Sequence, residues 1–338
     1  MTGSRLSAPG FGPEAGALRR WLSPPGIGLT LLIGIAALTI LAPALAPNPP
    51  ERQYAGLAYA PPMIPRIVHE GSLRAPFVYP LVLQNRLDRT FVADTHAPQR
   101  LRFFTDGRLV ASPVATPWLL LGADPLGRDV FSRLLTGARL SLLVATAAVL
   151  LTLLVGATFG ATAAFAGGLV DRAVTGAADL IVVLPLLYAV LTLRSVMPLV
   201  LDTATIFWTM VVVMAVATWP LPARGVRAIV ALESRKPYAE AAYALGSSPL
   251  RILLRHVLPS TTGHLATQAL LLFPAFIFAE ATLSFIGLGF AEPQASWGVM
   301  LQDAGRVQAM LEAPWLLAPA AAIVITVLAV HLITRRES

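Results

Sequence analysis

The side chains able to do chemistry in this chain are few, and the spacings that would turn them into a catalytic site are missing. A phosphate-cradling loop needs glycine, four residues and then Gly-Lys followed by Ser or Thr, because backbone N–H groups hold the phosphates while the lysine reaches their outer oxygens. Lys236, the one lysine in the chain, is followed by Pro237, so any ATP used must be bound by another subunit. His69-Glu70 opens the helical zinc-protease pattern, but Leu73 occupies the second histidine position, and the pair reads as a loop dipeptide. No G-x-S-x-G nucleophile elbow occurs, and the lack of cysteine removes thiolate ligands, disulfides and thiol nucleophiles together. Two features are left over: Glu280, an acid inside a long apolar run, and the stretch YAEAAYALGSSPLRILLRHVLPS at 238–260, where an acid, two arginines and a histidine interrupt apolar sequence.

Of the 338 residues, 56% are hydrophobic and 13% charged, against about a quarter charged in a soluble domain. Apolar runs near 26–46, 138–166, 177–198, 204–222, 265–289 and 315–334 predict six membrane helices, since about 20 residues cross a hydrocarbon layer of about 30 Å. The second run is overlong, which calls for tilt or an interfacial first turn. Small residues Ala44-Leu45-Ala46 could mark a leader cleavage site, but the first run is too long for a leader core and Pro47 follows directly, so it is read as a span.

The net charge of +7 is informative by position and carries no nucleic-acid signal. With the N-terminus in the cytoplasm, Arg5, Arg19, Arg20, Arg172, Arg224, Arg227, Arg235, Lys236, Arg251, Arg255, Arg335 and Arg336 all fall inside, while the short outer loops carry Asp202, Glu292, Asp303 and Glu312 against Arg194 and Arg306. The positive-inside rule then places both termini in the cytoplasm; the long arginine-bearing segment after the first span is translocated regardless of charge. The predicted organisation is a cytoplasmic tail at 1–25, a first span at 26–46, an outer segment at 47–137, a five-helix core at 138–334 containing a cytoplasmic connection at 223–264, and a tail at 335–338.

Proline-rich sequence opens the outer segment, and RLRFFT and RLVAS flank Asp106-Gly107, a pair suited to closing a β-hairpin, so 47–117 reads as a small β-containing insert. From Asp129 the positions Val130, Leu134, Leu135 and Leu142 share a face, with Arg128, Arg133 and Arg139 able to snorkel, which predicts an interfacial helix feeding the second span. Within that span Gly156, Gly160, Ala164 and Gly167 form a stripe of small residues of the kind that lets helices approach closely. Pro185 and Pro274 lie inside spans and are expected to kink them, and Trp297 and Trp315 suit the outer interface.

The 238–260 stretch reads as two short helices. Pro237 suits a first helical position, Tyr238, Ala241, Ala242 and Leu245 follow at helical spacing, and Gly246 supplies a left-handed terminus. Ser248 and Pro249 can start a second helix with Leu250, Leu253, Leu254 and Val257 on one face and Arg251 and Arg255 on another, ending at Pro259. By pattern alone such a hairpin could lie on anionic lipid or fill a groove in a soluble partner.

Glu240-Ala241-Ala242, three residues, Gly246, and then Leu258-Pro259 reproduce the EAA loop of ABC importer permeases at its full spacing. His256 stands where that pattern has isoleucine, and Arg255-His256-Val257-Leu258-Pro259 resembles the dipeptide, oligopeptide and nickel branch, as do LGADPLGRDVFSRLLTGARLSLLVA at 121–145 and AEATLSFIGLGFAEPQASWGVML at 279–301. The resemblance covers about 118–334 and the first span, and the insert poorly. It implies an all-α membrane protein of the six-helix type I permease fold with a small mixed or β extracytoplasmic insert. It further implies a non-catalytic subunit that carries peptides across the inner membrane, working with a second homologous permease, two ATPase subunits that bind ATP-Mg, and an extracytoplasmic binding protein. Carried over, Glu240, Ala241, Ala242, Gly246, Leu258 and Pro259 belong to the ATPase-coupling element, with Arg251 and Arg255 as flanking contacts. Nickel or another small solute is the alternative cargo.

Glu280 has two readings, a group of the translocation path or a structural acid hydrogen-bonded to neighbouring backbone in the broken SFIGLGF region; either way an acid at mid-helix requires a polar partner. It also keeps a different class open, an ion-coupled secondary transporter with Glu280 as the proton site. A membrane-anchored scaffold in which only the insert acts is a third.

Overall fold

A computed structural model describes residues 23–69, 71–85, 89–105, 107–112, 116–183, 202–305 and 311–335. Helix α1, Pro24–Ile40, starts behind Ser23, whose hydroxyl accepts from Gly26 N–H at 3.4 Å, and its first positions are prolines that have no N–H to satisfy. Helix α2, Val130–Ala166, starts behind Asp129, whose carboxylate accepts from the N–H groups of Phe131 and Ser132, and stops at Gly167 with φ 60°. The expected interfacial helix and the second span are therefore one uninterrupted helix. Helix α3, Gly168–Val183, follows; the rest of the predicted third span, with Pro185, lies outside the described residues, as do Glu70, Asp106, Arg194 and Arg306.

Helix α4, Thr203–Thr218, is capped by Asp202 and passes through Trp219 into α5, Pro220–Glu233, with a bend of 48°. Helix α6, Pro237–Ala244, is the first of the predicted hairpin. Helix α7 runs from Pro249 to Phe285, α8 from Trp297 to Ala304, and α9 from Pro314 to Thr334 with a 3₁₀ first turn. By length and composition α2, α7 and α9 are each able to cross a membrane, the bent α4–α5 pair qualifies as a fourth span, and α1 is a shorter apolar helix.

Pro259 does not end a helix as expected. The backbone widens into a π turn at Leu253–Val257 and tightens into a 3₁₀ turn at Leu258–Thr261, with Pro259 near the start of that turn, before regular helix resumes. The change of pitch removes the need for a proline N–H, and the hydroxyls of Ser260, Thr261 and Thr262 donate to the carbonyls of Val257, Leu258 and Pro259. Pro274 likewise sits inside α7 without ending it.

Helix α2 is the central post, packed on α5, α7, α4 and α3. Gly156 and Gly160 of the predicted stripe form the α5 contact, a Cβ on Gly160 lying 2.4 Å from the Ala223 carbonyl oxygen and one on Gly156 2.5 Å from Pro222 Cγ, whereas Gly167 stands beyond the helix end with nothing within 4 Å. In lipid, where helices gain little from apolar burial alone, such close backbone approach supplies the packing energy. The main core joins Val144, Ala145 and Ala148 of α2 to Val211 and Met214 of α4, Phe276 and Ile277 of α7, and Ile323 of α9.

The insert is built from short antiparallel pairs. Strands β1, Arg66–His69, β2, Ser72–Val78, and β5, Gln99–Arg100, form one sheet in the order β1-β2-β5. Strands β3, Leu81–Asn85, and β4, Thr90–Ala93, form a hairpin, and so do β6, Arg102–Thr105, and β7, Arg108–Ala111, with Thr105 opposite Arg108 about Gly107. A small apolar cluster of Ala60, Met63, Leu119 and Ala123 ties the loop before β1 to the segment leading into α2.

Candidate coupling surface and buried polar sites

The predicted EAA-loop residues are brought together on one knuckle. Helix α6 begins at Pro237 with Glu240 in its first turn, where a carboxylate interacts favourably with the helix dipole. It ends in a paired cap: Gly246 N–H donates to Tyr243 O at 2.9 Å and Ser247 N–H to Ala242 O at 3.1 Å. That geometry needs the left-handed backbone of Gly246, at φ 81°. Ser248 occupies the N-cap position before Pro249, but its side chain makes no capping bond. Upstream, Glu233 accepts from Lys236 Nζ and from Tyr238 OH, each at 2.7 Å, fixing the α5–α6 link. Arg227 grips Asp171 and Arg224 pairs with Asp179, tying α5 to α3.

The buried side of the knuckle differs from the expected face. Ala239, Ile252, Leu253 and Val257 pack with Ala161 of α2 and with Val226 and Val230 of α5, whereas Leu250 and Leu254 point outward. The π turn rotates the second segment, so a face drawn at regular helical spacing is split between core and surface. What is left uncovered is both apolar and charged. Tyr243 is 68% exposed and Leu245 87%, beside outward-facing Glu240, Arg251, Arg255 and His256. Ala241 is exposed, Ala242 and Leu258 are half-buried, and Pro259 is exposed where the knuckle joins α7.

Glu280 is fully buried in α7. Its Oε1 accepts from Ser284 Oγ at 2.9 Å, and Ser141 and Ser296 lie close to the same carboxyl. The serines also hold the backbone that follows: Ser284 Oγ accepts from Phe290 N–H at 3.1 Å, Ser141 Oγ from Trp297 N–H at 3.1 Å, and Ser296 Oγ from Val299 N–H at 3.2 Å. The carboxyl thus sits at a node joining α2, α7 and the return loop 286–296. Its partners are hydroxyls rather than the loose backbone expected of a broken helix. Gly298 packs its Cα against α7, since a Cβ there would lie 2.5 Å from Ala281 O. Gln302 Nε2 donates to the terminal carbonyls of Ser284 and Phe285. Trp297, expected at the interface, is core, with Nε1 donating to Leu134 O at 3.3 Å. Trp315 is half-buried and donates to Ala123 O at 3.0 Å.

A second buried polar cluster was not anticipated. Arg128 and Arg133 do not snorkel; they are 2% and 1% exposed. Arg128 Nε binds Asp124 Oδ2 at 2.6 Å, its two terminal nitrogens grip Glu292, and Arg133 Nη2 reaches Glu292 Oε1 at 2.9 Å. Burial acts against the Arg128 cation, but Glu292 and Asp124 outweigh it and hold its pKa above the ordinary value. Asp303 is pushed up to about 6 by burial and by the Asp124 and Glu292 charges, against the opposing pull of Arg128 and Arg133. Beside them Asp129 is also pushed up to about 6, by burial, although Ser132, Asn48 and backbone N–H groups donate to it. The spacing Asp124, Arg128 and Arg133 signals an internal pair, but Glu292 is invisible from it.

Apolar helices long enough to cross a bilayer, packed through close glycine contacts and around buried polar clusters, define a multi-pass helical membrane protein. Comparison with known proteins makes the assignment specific: the chain belongs to the family of binding-protein-dependent transport system inner membrane components, whose sequence profile matches residues 156–336. It is 37% identical over 206 residues to the oligopeptide transport system permease protein OppC of Bacillus subtilis (strain 168), covering 61% of this chain and 65% of that one. The dipeptide transport system permease protein DppC of the same organism is 39% identical over 191 residues, covering 56% of this chain and 57% of that one. The glutathione transport system permease protein GsiD of Pectobacterium atrosepticum (strain SCRI 1043) is 32% identical over 231 residues, covering 68% and 74%.

Proposed function

We propose that this chain is a permease subunit of an ATP-driven importer that passes peptides through the inner membrane. Its partners in this reading are a second homologous permease, two ATPase subunits and an extracytoplasmic binding protein that delivers the cargo. The 237–259 knuckle couples the ATPases to the membrane helices, the insert at 47–117 faces the outside, six spans cross the bilayer, and both termini lie in the cytoplasm. The peptide class is supported by relatives named for oligopeptide, dipeptide and glutathione transport.

The observation that carries the coupling reading is the exposed knuckle. Tyr243, Leu245, Leu250 and Leu254 turn apolar surface outward next to Arg251 and Arg255, across the end of α6 and the first turns of α7, whose other side is buried against α2 and α5. Apolar anchors with a charged rim suit a groove in a soluble protein. Because the knuckle continues into α7 and packs on α5, a push on it is transmitted to two membrane helices as a rigid-body movement. The test is uptake of labelled di- and oligopeptides by vesicles containing this chain with its co-expressed partners. Uptake requiring both ATP and binding protein supports the reading; uptake driven by an ion gradient without ATP would replace it with a secondary transporter.

A further inference from the structure

Helix α1 packs along α9 but stands off from α2 over most of its length. Near its start Gly28 lies against α9, where a Cβ would meet the Ala329 carbonyl oxygen at 2.5 Å. The gap holds two crevices on either side of α1, of about 320 Å³ and 340 Å³, which share Ile35 and Thr39 of α1 and Thr326 of α9. The larger is lined by Leu32, Ile35 and Ile40 of α1, Leu142 and Leu143 of α2, and Phe273 of α7, and Arg139 of α2 stands at one end of it.

Arg139 is exposed, and among the described residues it has no hydrogen bond or ion pair and no carboxylate lines the crevice. It sits nine positions into α2, about 14 Å along the helix, next to Ile40 at the last turn of α1. A cation at that depth needs an anionic or hydrated partner. From Ile40 to Leu32 the groove runs about 12 Å along α1 at the helical rise. That length accommodates the upper half of an acyl chain.

We propose that this crevice is a binding site for an anionic phospholipid, with the headgroup phosphate on Arg139 and one acyl chain between α1 and α2. The inference rests on the placement of these helices in a bilayer and on nothing about cargo. A hydrophobic slot with a single unpaired guanidinium at its mouth matches the amphiphile in both shape and charge. The lipid fills the gap that α1 leaves and supports α1 against the bundle.

The test is native mass spectrometry of the assembled transporter, taken from vesicles of phosphatidylglycerol and phosphatidylcholine in equal amounts. The site predicts retained phosphatidylglycerol in preference to phosphatidylcholine, a loss of roughly tenfold in that preference with Arg139→Gln, and its retention with Arg139→Lys. Ala36→Trp, which fills the crevice and leaves the cation in place, is expected to expel the same lipid. Equal retention of the two lipids, or unchanged retention in both Arg139→Gln and Ala36→Trp, overturns the proposal. So does efficient disulfide cross-linking of Leu143→Cys to a cysteine on the neighbouring permease, which would show a protein occupant in the slot.

Discussion

Arg128 and Glu292, 164 positions apart in the chain, meet in a two-pronged ion pair whose Nη2–Oε1 separation is 2.9 Å. Glu292 lies in the loop between α7 and α8, so this pair and the Arg133 contact fasten that loop to the start of α2. Removing Glu292 leaves two buried guanidinium groups with Asp124 as their shared counter-ion, and unpaired buried charge is strongly destabilising. Because Glu292 itself is 38% exposed, water recovers part of that loss. Glu292→Ala is expected to destabilise the protein by about 1–3 kcal/mol, read as a lower melting temperature in detergent, and Glu292→Asp by less.

The α2–α5 contact is set by backbone proximity. Gly160→Val places a branched side chain where a single Cβ already lies 2.4 Å from Ala223 O, and neither backbone can yield cheaply. The expected loss is about 1–3 kcal/mol. Gly176→Ala in α3 meets nothing within 4 Å and should leave the melting temperature unchanged or slightly raised.

How much of this was legible in the sequence follows from how local each feature is. The Gly246 terminus, the Asp129 and Pro237 helix starts and the Gly156–Gly160 pair depend on neighbours within a turn or two, and each is found where the residue types place it. The Arg128–Glu292 pair, the burial of Trp297 and the outward turn of Leu250 and Leu254 depend on contacts made across the fold or on a local change of helical pitch. No periodicity encodes them. Arg128 at the head of an amphipathic helix looks the same whether it reaches water or a carboxylate from a distant loop.

Asp129 makes stability depend on pH in a defined direction. Its carboxyl, just ahead of the α2 span, titrates near 6 in the fold against 3.8 as its reference value, so the folded chain holds the proton more tightly. Stability from this group therefore rises as pH falls through 6 toward 4 and is lost as pH rises through the same window. Between pH 7 and 5 the gain is on the order of 1 kcal/mol. Melting of the wild type against Asp129→Asn isolates it: the wild-type advantage should widen at pH 5. The substitution itself should destabilise at both pH values, because either orientation of its amide turns the NH2 toward a group that already donates, Phe131 N–H at one oxygen position or Asn48 and Ser132 at the other.

Glu280 acts in this account through the node it forms with Ser141, Ser284 and Ser296. Glu280→Gln keeps an oxygen for Ser284 and should retain most uptake and stability. Glu280→Leu leaves the Ser284 hydroxyl without its acceptor and should lower stability by about 1–3 kcal/mol. Loss of uptake in Glu280→Gln at unchanged stability and assembly would instead mark the carboxylate as a group of the transport path.

The central claim is that the 237–259 knuckle is where the ATPase subunits hold this chain, and the absence of cysteine makes it directly testable. Leu245→Cys, on the tip of the knuckle, and Val324→Cys, exposed on α9, each give this chain a single reactive thiol within the assembled transporter. With a short thiol-to-amine cross-linker, Leu245→Cys should join to an ATPase subunit and Val324→Cys should not. Glu240→Arg combined with Gly246→Pro, which places proline at a left-handed φ it cannot adopt, should abolish the product. A transporter that retains ATP-dependent uptake while Leu245→Cys gives no ATPase cross-link would contradict the account.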